Sequence, residues 1–302
     1  MTATATMAAA TPTAAATPTT TARDGTVPAP LTEHVAAEPA VSVQGLTRRF
    51  KQVLAVDHVD LDVRPGEIFG LLGPNGAGKT TTIKILTTLL PPTEGRAFVA
   101  GFDVLREPAA VRRSIGYVPQ LLSADGSLTG WENLLISARL HHLPAAERRE
   151  RIAHALEFMG LGDAAQRLAN TYSGGMIRRL ELARAMLHEP VVLFLDEPTI
   201  GLDPLAREQV WTHVRRLREH EGTTIVMTTH YMEEADLLCD RVAIMLGGRL
   251  AAIGEPADLR AEIGEDATLE DVFRRATGAE MESGGGSFRD VARTRRTARR
   301  LG

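Results

Sequence analysis

The segment GPNGAGKT, from Gly73 to Thr80, constrains the fold of this 302-residue chain more than any other feature of its sequence. It fits the pattern G-x-x-x-x-G-K-[ST], follows the apolar run GEIFGLLG and precedes KTTTIKILTTLL, whose apolar residues have helical spacing. Glycines between a strand and a helix let successive backbone N–H groups converge on phosphate oxygens, and the helix dipole favours an anion there. The sequence therefore predicts a phosphate-binding loop; the alternative is a glycine-rich turn that only caps the helix.

The same pattern assigns the side chains of this loop to nucleotide chemistry. We expect Lys79 to reach the β- and γ-phosphates and Thr80 to bind Mg²⁺. The residues expected to contact the nucleotide are Gly73, Pro74, Asn75, Gly76, Ala77, Gly78, Lys79, Thr80 and Thr81.

A second apolar run, VVLFLDEP, ends in two adjacent carboxylates. Its five apolar residues predict a strand inside a sheet, and open parallel sheets bind ligands at the carboxyl ends of their strands. We expect Asp196 to hold Mg²⁺ through water, and Glu197 to orient the water that attacks the γ-phosphate or to accept its proton. The alternative is an exposed strand end that carries charged residues.

The composition, 44% hydrophobic and 24% charged, is that of a soluble globular chain. Strands alternate with helices, which favours an α/β domain, whereas residues 127 to 188 contain three helical segments and predict a helical insert. The formal net charge of −4 provides no basic surface for nucleic acid, so no such partner is expected. No apolar run reaches the roughly eighteen residues that a membrane span needs.

Both ends of the chain differ in composition from the middle. Residues 1–40 are mostly Ala, Thr and Pro, which predicts a disordered tail. Residues 267–302 are a C-terminal extension in which a Gly/Ser hinge precedes six arginines between Arg289 and Arg300. A solvated tail is favoured there, and docking on anionic lipid or on a partner is the alternative.

Four further motifs form an ordered set with the loop and the acidic strand. YVPQ ends at Gln120, YSGGM spans Tyr172 to Met176, IGLDP follows the acidic strand, and TTH ends at His230. In this order, the motifs of residues 41–266 resemble those of the ATP-binding subunits of ABC transporters. The resemblance implies an α/β fold, a P-loop NTPase of ABC type with a RecA-like core, an antiparallel β subdomain and a helical signature subdomain at about residues 127–188.

The signature segment departs from the usual LSGGQ of that family, with Tyr172 in place of the leucine and Met176 in place of the glutamine. Together with TLEDVFRRATG at residues 268–278 and the phrases LTGWENL and EPTIGLDP, it resembles the daunorubicin/doxorubicin-resistance type of ABC-2 exporter ATPase. The replacement of the glutamine removes only the contacts that this side chain makes in the family.

The resemblance also implies a second nucleotide surface. Ser173 and the backbone N–H groups of Gly174 and Gly175 begin a helix, so they form an anion site. In the family this site faces an ATP held by another subunit, and one loop and one signature per chain leave each half-site incomplete. A twofold homodimer that sandwiches two ATP molecules completes both sites, with Asp203 across the interface.

Three more residues acquire expected roles from the family pattern. His230 is expected to contact the γ-phosphate and to help align Glu197 and the water. Gln120 is expected to touch Mg²⁺ or that water and to link the helical insert to the site. Phe50 matches the position where the family stacks an aromatic ring on adenine, and a core phenylalanine is the alternative.

As a whole, the resemblance implies an ATP hydrolase that uses ATP and Mg²⁺ and powers a separately encoded ABC-2 type membrane permease from the cytoplasmic face of the membrane. The expected cargo is a drug, an antibiotic or another hydrophobic compound. The alternatives are the ATPase of a lipid or polysaccharide exporter and a soluble ABC ATPase that serves no transporter.

Overall fold

The computed structural model describes residue 1 and residues 38–277, apart from the side chain of Glu221. Most of the tail predicted for residues 1–40 and the Arg-rich part of the extension predicted for 267–302 therefore lie outside the described residues. The predictions made for those segments stay predictions.

The described residues contain ten strands and nine α-helices. The strands are β1 (Val41–Phe50), β2 (Val53–Val63), β3 (Ile68–Leu72), β4 (Glu94–Val99), β5 (Phe102–Asp103), β6 (Ile115–Val118), β7 (Val192–Asp196), β8 (Thr224–Thr229), β9 (Arg241–Leu246) and β10 (Arg249–Gly254). The helices are α1 (Lys79–Leu86), α2 (Pro108–Ser114), α3 (Gly130–Leu140), α4 (Ala145–Phe158), α5 (Gly174–Met186), α6 (Pro204–Glu221), α7 (Met232–Leu238), α8 (Pro256–Ala261) and α9 (Leu269–Thr277).

A six-stranded sheet with the order β10-β9-β3-β8-β7-β6 forms the centre of the domain. All neighbours in it are parallel except β9 and β10, which form a hairpin. The sequence VAIMLGGRLAAIG, with its Gly-Gly turn, predicts this hairpin. Strands β3, β7 and β8 are buried along their whole length. Parallel strands covered on both faces need apolar side chains in both directions, which explains the continuous apolar runs in the sequence.

A four-stranded antiparallel sheet with the order β2-β1-β4-β5 makes the second layer. Apolar residues of both sheets meet in one core, in which Val41, Phe69 and Phe194 have no exposed surface. Helix α1 contributes Ile83 and Ile85 to the same core. The predicted RecA-like core and antiparallel β subdomain are both confirmed.

The range predicted for the helical insert contains α3, α4 and α5, which follow β6 in the chain. Helix α3 starts with a capping box, since Thr129 Oγ1 accepts from Glu132 N at 3.1 Å and Glu132 Oε2 accepts from Thr129 N at 2.8 Å. Leu134, Ile152 and Leu156 pack in a second core that continues to the other face of the six-stranded sheet. The insert is therefore packed against the sheet that carries the acidic strand.

Two boundaries lie further out than the sequence indicated. Ala40 is buried, and its backbone N–H donates to Val63 O at 2.8 Å, so the folded part starts before residue 41. At the other end, Leu269 and Val272 of α9 belong to the same core as the insert, beyond the predicted limit at residue 266. The helix carries both residues on one apolar face, and burying that face extends the domain.

Candidate functional site

The loop from Gly73 to Thr80 joins β3 to α1, as its pattern predicts, and its backbone packs closely against two strands. Gly73 and Gly78 have φ values of 155° and 108°, which L side chains rarely adopt. A Cβ on Gly73 would collide with the carbonyl oxygen of Met245, and one on Gly78 would collide with the carbonyl oxygen of Ala55. The loop is thus a tight backbone turn over the N-terminus of α1, the arrangement that suits phosphate.

Lys79 begins helix α1 and turns its side chain back over the loop. Its Nζ donates to Gly73 O at 2.7 Å and to Pro74 O at 3.2 Å, and the side chain is only 4% exposed. Nζ also lies 3.4 Å from Glu197 Oε1. Burial lowers the pKa of Lys79, and the neighbouring charge of Glu197 acts in the opposite direction.

Asp196 ends strand β7 beside the same loop and is almost completely buried. Its Oδ1 accepts from Thr80 Oγ1 at 3.0 Å and from Thr228 Oγ1 at 2.7 Å. A hydroxyl and a carboxylate in contact are hard oxygen donors of the kind that Mg²⁺ prefers. Within residues 38–277, no three acidic, His or Cys side chains form a metal cluster, so Mg²⁺ would take its other ligands from water and phosphate oxygens, as it usually does. The residues fit the metal that the sequence predicts.

Glu197 is the point where the predicted catalytic side chains meet. Gln120 Nε2 donates to Glu197 Oε2 at 3.0 Å, Lys79 approaches Oε1, and His230 Nδ1 lies 3.5 Å from Oε1. The last distance is long for a hydrogen bond, so His230 lies beside the carboxylate without being bonded to it. The carboxylate is 5% exposed.

The backbone of Glu197 is in the left-handed region, with φ of 48°. Such a conformation is uncommon for a residue with a side chain and costs energy that the surroundings must offset. The N–H of Glu197 donates to Thr228 Oγ1 at 2.9 Å, and that hydroxyl also contacts Asp196. Thr228, which the sequence did not single out, therefore fixes the backbone on which both carboxylates stand.

The signature segment lies at the N-terminus of α5. Ser173 is the N-cap, and its Oγ accepts from Met176 N at 3.3 Å, while Ser173 and Gly174 face solvent. A Cβ on Gly175 would lie 2.9 Å from Ala206 Cβ, so this glycine allows α5 to approach the start of α6. Among the described residues, no hydrogen bond or ion pair joins residues 173–175 to the loop of the same chain.

Asp203 and Phe50 make no hydrogen bond or ion pair with Glu197 in the described part of the chain. Asp203 is exposed and caps α6, with its Oδ1 accepting from Ala206 N at 2.9 Å. Phe50 ends β1 with 38% of its surface exposed, and the Arg48 guanidinium carbon lies 4.5 Å from its ring centre. The exposure contradicts the alternative of a core phenylalanine, and stacking on adenine stays a prediction.

Tyr172, which stands where the family usually has leucine, packs inside the helical insert. Its ring is buried, and its hydroxyl donates to Ala164 O at 2.7 Å. Gly130, at the start of α3, faces that hydroxyl so closely that a Cβ there would collide with it. The tyrosine of YSGGM and the glycine of LTGWENL thus pack against one another.

Three buried polar groups that sequence reasoning missed lie around the site. Arg178 and Glu181 of α5 form an ion pair at 3.1 Å, with both side chains 2% exposed. Glu234 Oε1 accepts from Thr199 Oγ1 and from Trp211 Nε1, each at 2.8 Å, which ties the segment after Glu197 to α7. The sequence around these three residues indicates their burial only by placing a charged residue on a helix face that is otherwise apolar.

A family model described as ABC transporter matches residues 56–200. The daunorubicin/doxorubicin resistance ATP-binding protein DrrA of Streptomyces peucetius is 48% identical over 227 residues, which cover 75% of this chain and 68% of that protein. The linearmycin resistance ATP-binding protein LnrL of Bacillus subtilis is 37% identical over 230 residues, with 76% and 74% covered.

Solved structures agree with the sequence comparison. An ATP-binding subunit of an ABC transporter matches with a TM-score of 0.71 and 30% identity, covering 79% of this chain and 99% of that one. The dimeric ATP-binding cassette MJ0796, in a post-hydrolysis state with ADP and Pi, matches with a TM-score of 0.65 and 28% identity, covering 71% and 98%. In the part of the chain that is described, no helix is long and apolar enough to cross a lipid bilayer.

Proposed function

This chain belongs to the ABC transporter family and is an ATP-binding, ATP-hydrolysing domain of that family, and we propose that it powers a drug exporter through the site around Glu197. The observation that carries the proposal is the convergence of Lys79, Gln120 and His230 on one buried carboxylate. The backbone of Gly73 to Gly78 and the ammonium of Lys79 bind the phosphates of ATP. The Glu197 carboxylate orients the attacking water and accepts its proton.

The residues around Glu197 bind the metal ion, position the carboxylate and contact the nucleotide. Thr80, Asp196 and Gln120 would hold Mg²⁺, which would neutralise charge on the phosphate oxygens. Gln120 keeps the carboxylate in position through its 3.0 Å bond, and His230, whose Nδ1 lies 3.5 Å from Oε1, contacts the γ-phosphate. Phe50 stacks on adenine, which its exposure permits.

We propose further that two copies of the chain form a homodimer around two ATP molecules. Ser173 and Gly174 are exposed and make no bond to the loop of their own chain among the described residues, so their anion site is available to a partner's nucleotide. Asp203 is exposed beside them at the start of α6. The similar MJ0796 cassette is a dimer, which supports this arrangement.

The partner in transport is proposed to be a separate membrane permease of the ABC-2 type, with the chain on the cytoplasmic face. The names of the relatives support a cargo of the anthracycline or other antibiotic class: DrrA is a daunorubicin/doxorubicin resistance protein, and LnrL is a linearmycin resistance protein. The permease chooses the cargo in this proposal, so the chain itself supplies only the ATP-driven motion.

Two experiments test the proposal. Ser173→Glu places a negative charge where a partner's phosphate is proposed to bind, so the homodimer of this variant should lose hydrolysis, as should the homodimer of Lys79→Ala. A mixture of the two variants contains heterodimers with one intact composite site and should regain activity, whereas sites confined to one chain would leave the mixture inactive. For transport, co-expression with a candidate ABC-2 type permease should bring the chain to the membrane fraction and raise drug tolerance. A chain that stays in the soluble fraction would refute the transport role.

A further inference from the structure

The segment that carries Gln120 is held on helix α5 by a buried ion pair. Arg178 Nη1 donates to Pro119 O at 2.7 Å, and Arg178 Nη2 donates to Gln120 O at 3.0 Å. Glu181 Oε1 accepts from the backbone N–H of Ser123, and from Ser123 Oγ at 3.0 Å. Both ends of the segment 119–123 are thus bound to side chains one helical turn apart on α5.

The two residues of the pair also fix one another. Arg178 Nη1 lies 3.1 Å from Glu181 Oε2, and the guanidinium is among the largest side chains buried in the domain. Burying two charges has a high desolvation cost, and an apolar pair of similar volume often stabilises a protein equally well or better. Fold stability alone is therefore a weak reason for a charged pair at this position.

The contacts continue from this pair to the carboxylate proposed to activate water. Arg178 binds the main chain of Gln120, and the side chain of Gln120 donates to Glu197. Helix α5 begins at the Ser173 cap, which lies about 7 to 8 Å along the helix axis from Arg178. One rigid helix thus connects the signature to the main chain of the Gln120 segment.

We infer that Arg178 and Glu181 are positioning residues for ATP hydrolysis, which hold residues 119–123 on α5 so that Gln120 stays bonded to Glu197. They touch neither nucleotide nor water and act through Gln120. A further part of this inference rests on the proposed function, in which the signature binds a partner's ATP. A shift of α5 on that binding would move the Gln120 main chain with it. Occupancy of one nucleotide site then alters the alignment of Glu197 in the other.

The test uses the paired replacement Arg178→Met with Glu181→Leu in the full chain. Removing both charges together leaves no unpaired buried ion, so the variant should still fold, with a melting temperature lowered only by the lost hydrogen bonds to residues 119–123. We expect kcat for ATP to fall about ten- to a hundredfold, because a displaced aligning group has effects of that size, with KM nearly unchanged.

Arg178→Lys, which can still reach one carbonyl, should recover part of the lost kcat. Arg179→Met is the matched control, since Arg179 lies next in the helix but donates to Met159 O at 2.9 Å instead.

A second measurement separates positioning from general destabilisation. In a Gln120→Ala background the paired replacement should cause little further loss of kcat, because both changes remove the same alignment. Amide hydrogen exchange at residues 120–124 should accelerate in the paired variant and not in Arg179→Met, a readout that needs no ATP hydrolysis. Unchanged exchange, or a loss of kcat equally large in both backgrounds, would overturn the inference. A wild type that does not hydrolyse ATP while the exchange result holds would count against the proposed function instead.

Discussion

The ammonium nitrogen of Lys79 lies 3.4 Å from Glu197 Oε1, and both side chains are at least 95% buried. The residue proposed to bind phosphate and the residue proposed to activate water therefore share one charge interaction in a site with little solvent. Removing a charge from either residue also changes the electrostatic surroundings of the other.

Glu197→Gln should separate nucleotide binding from hydrolysis. The amide keeps the shape and an acceptor for Gln120, but it cannot take a proton and no longer neutralises Lys79. Hydrolysis should fall by about 10²- to 10⁴-fold, the usual contribution of a general base, while ATP affinity stays equal or rises. Titration with a fluorescent ATP analogue and a phosphate-release assay measure the two quantities.

Glu67→Gln is a suitable control for that variant, since Glu67 is also buried and pairs with Arg241 at 3.1 Å. It should lower stability without changing kcat. Normal turnover by Glu197→Gln would exclude Glu197 as the base.

Thr80→Val should raise the Mg²⁺ concentration needed for hydrolysis. Valine keeps the shape of threonine but removes the hydroxyl that donates to Asp196 at 3.0 Å and is proposed to ligate the ion. We expect the half-saturating Mg²⁺ concentration to rise about tenfold, equivalent to about 1.4 kcal/mol. Thr87→Val, which removes a buried hydroxyl that donates to Ile83 O at 2.8 Å on the same helix, should leave it unchanged.

Parts of the fold whose signals are local could be predicted from the sequence. The loop before α1 and the hairpin of β9 and β10 depend on neighbouring residues, and both lie where the pattern places them. The link between Arg178 and Gln120 could not be predicted, because 58 residues separate the two partners. A single chain also gives no signal that Thr228 supports the Glu197 backbone, since threonine is common in buried strands.

Gly130→Ala should destabilise the helical insert through its contact with Tyr172. The added methyl would collide with the tyrosine hydroxyl, and such overpacking costs about 1 to 3 kcal/mol. Tyr172→Phe alone should cost about 1 kcal/mol, because Ala164 O loses its donor. In the double variant the collision is removed, so chemical denaturation should show a loss smaller than the sum of the two. Additive losses would mean that the insert adjusts without using this contact.

Two glycines of the phosphate loop should respond differently to a methyl group. Gly78→Ala brings a Cβ against the carbonyl oxygen of Ala55, which is backbone and cannot turn away. We expect a loss of about 3 kcal/mol or more, together with the loss of ATP binding. Gly76 also has a positive φ, of 81°, but a Cβ there meets nothing within 4 Å, so Gly76→Ala should cost about 1 kcal/mol. Thermal unfolding of the two variants gives the comparison, and equal losses would show that backbone conformation alone sets the cost.

The stability of the domain should fall between pH 6.5 and pH 4 because His213 is buried without a compensating charge. Burial, followed by the charges of Arg179 and Arg216, lowers the pKa of His213 from 6.5 to about 4. The unfolded chain therefore binds a proton in this range that the folded chain does not, so stability is complete above pH 6.5 and is lost as the pH falls. The loss from this one residue is about 2 kcal/mol at pH 5.

His213→Leu should flatten the curve of unfolding free energy against pH, while His220→Leu, at an exposed position of the same helix, should leave its slope in place. His188, whose pKa burial also lowers to about 4, should supply a similar part of the remaining slope, so a double variant at 188 and 213 that keeps the full slope would contradict this account.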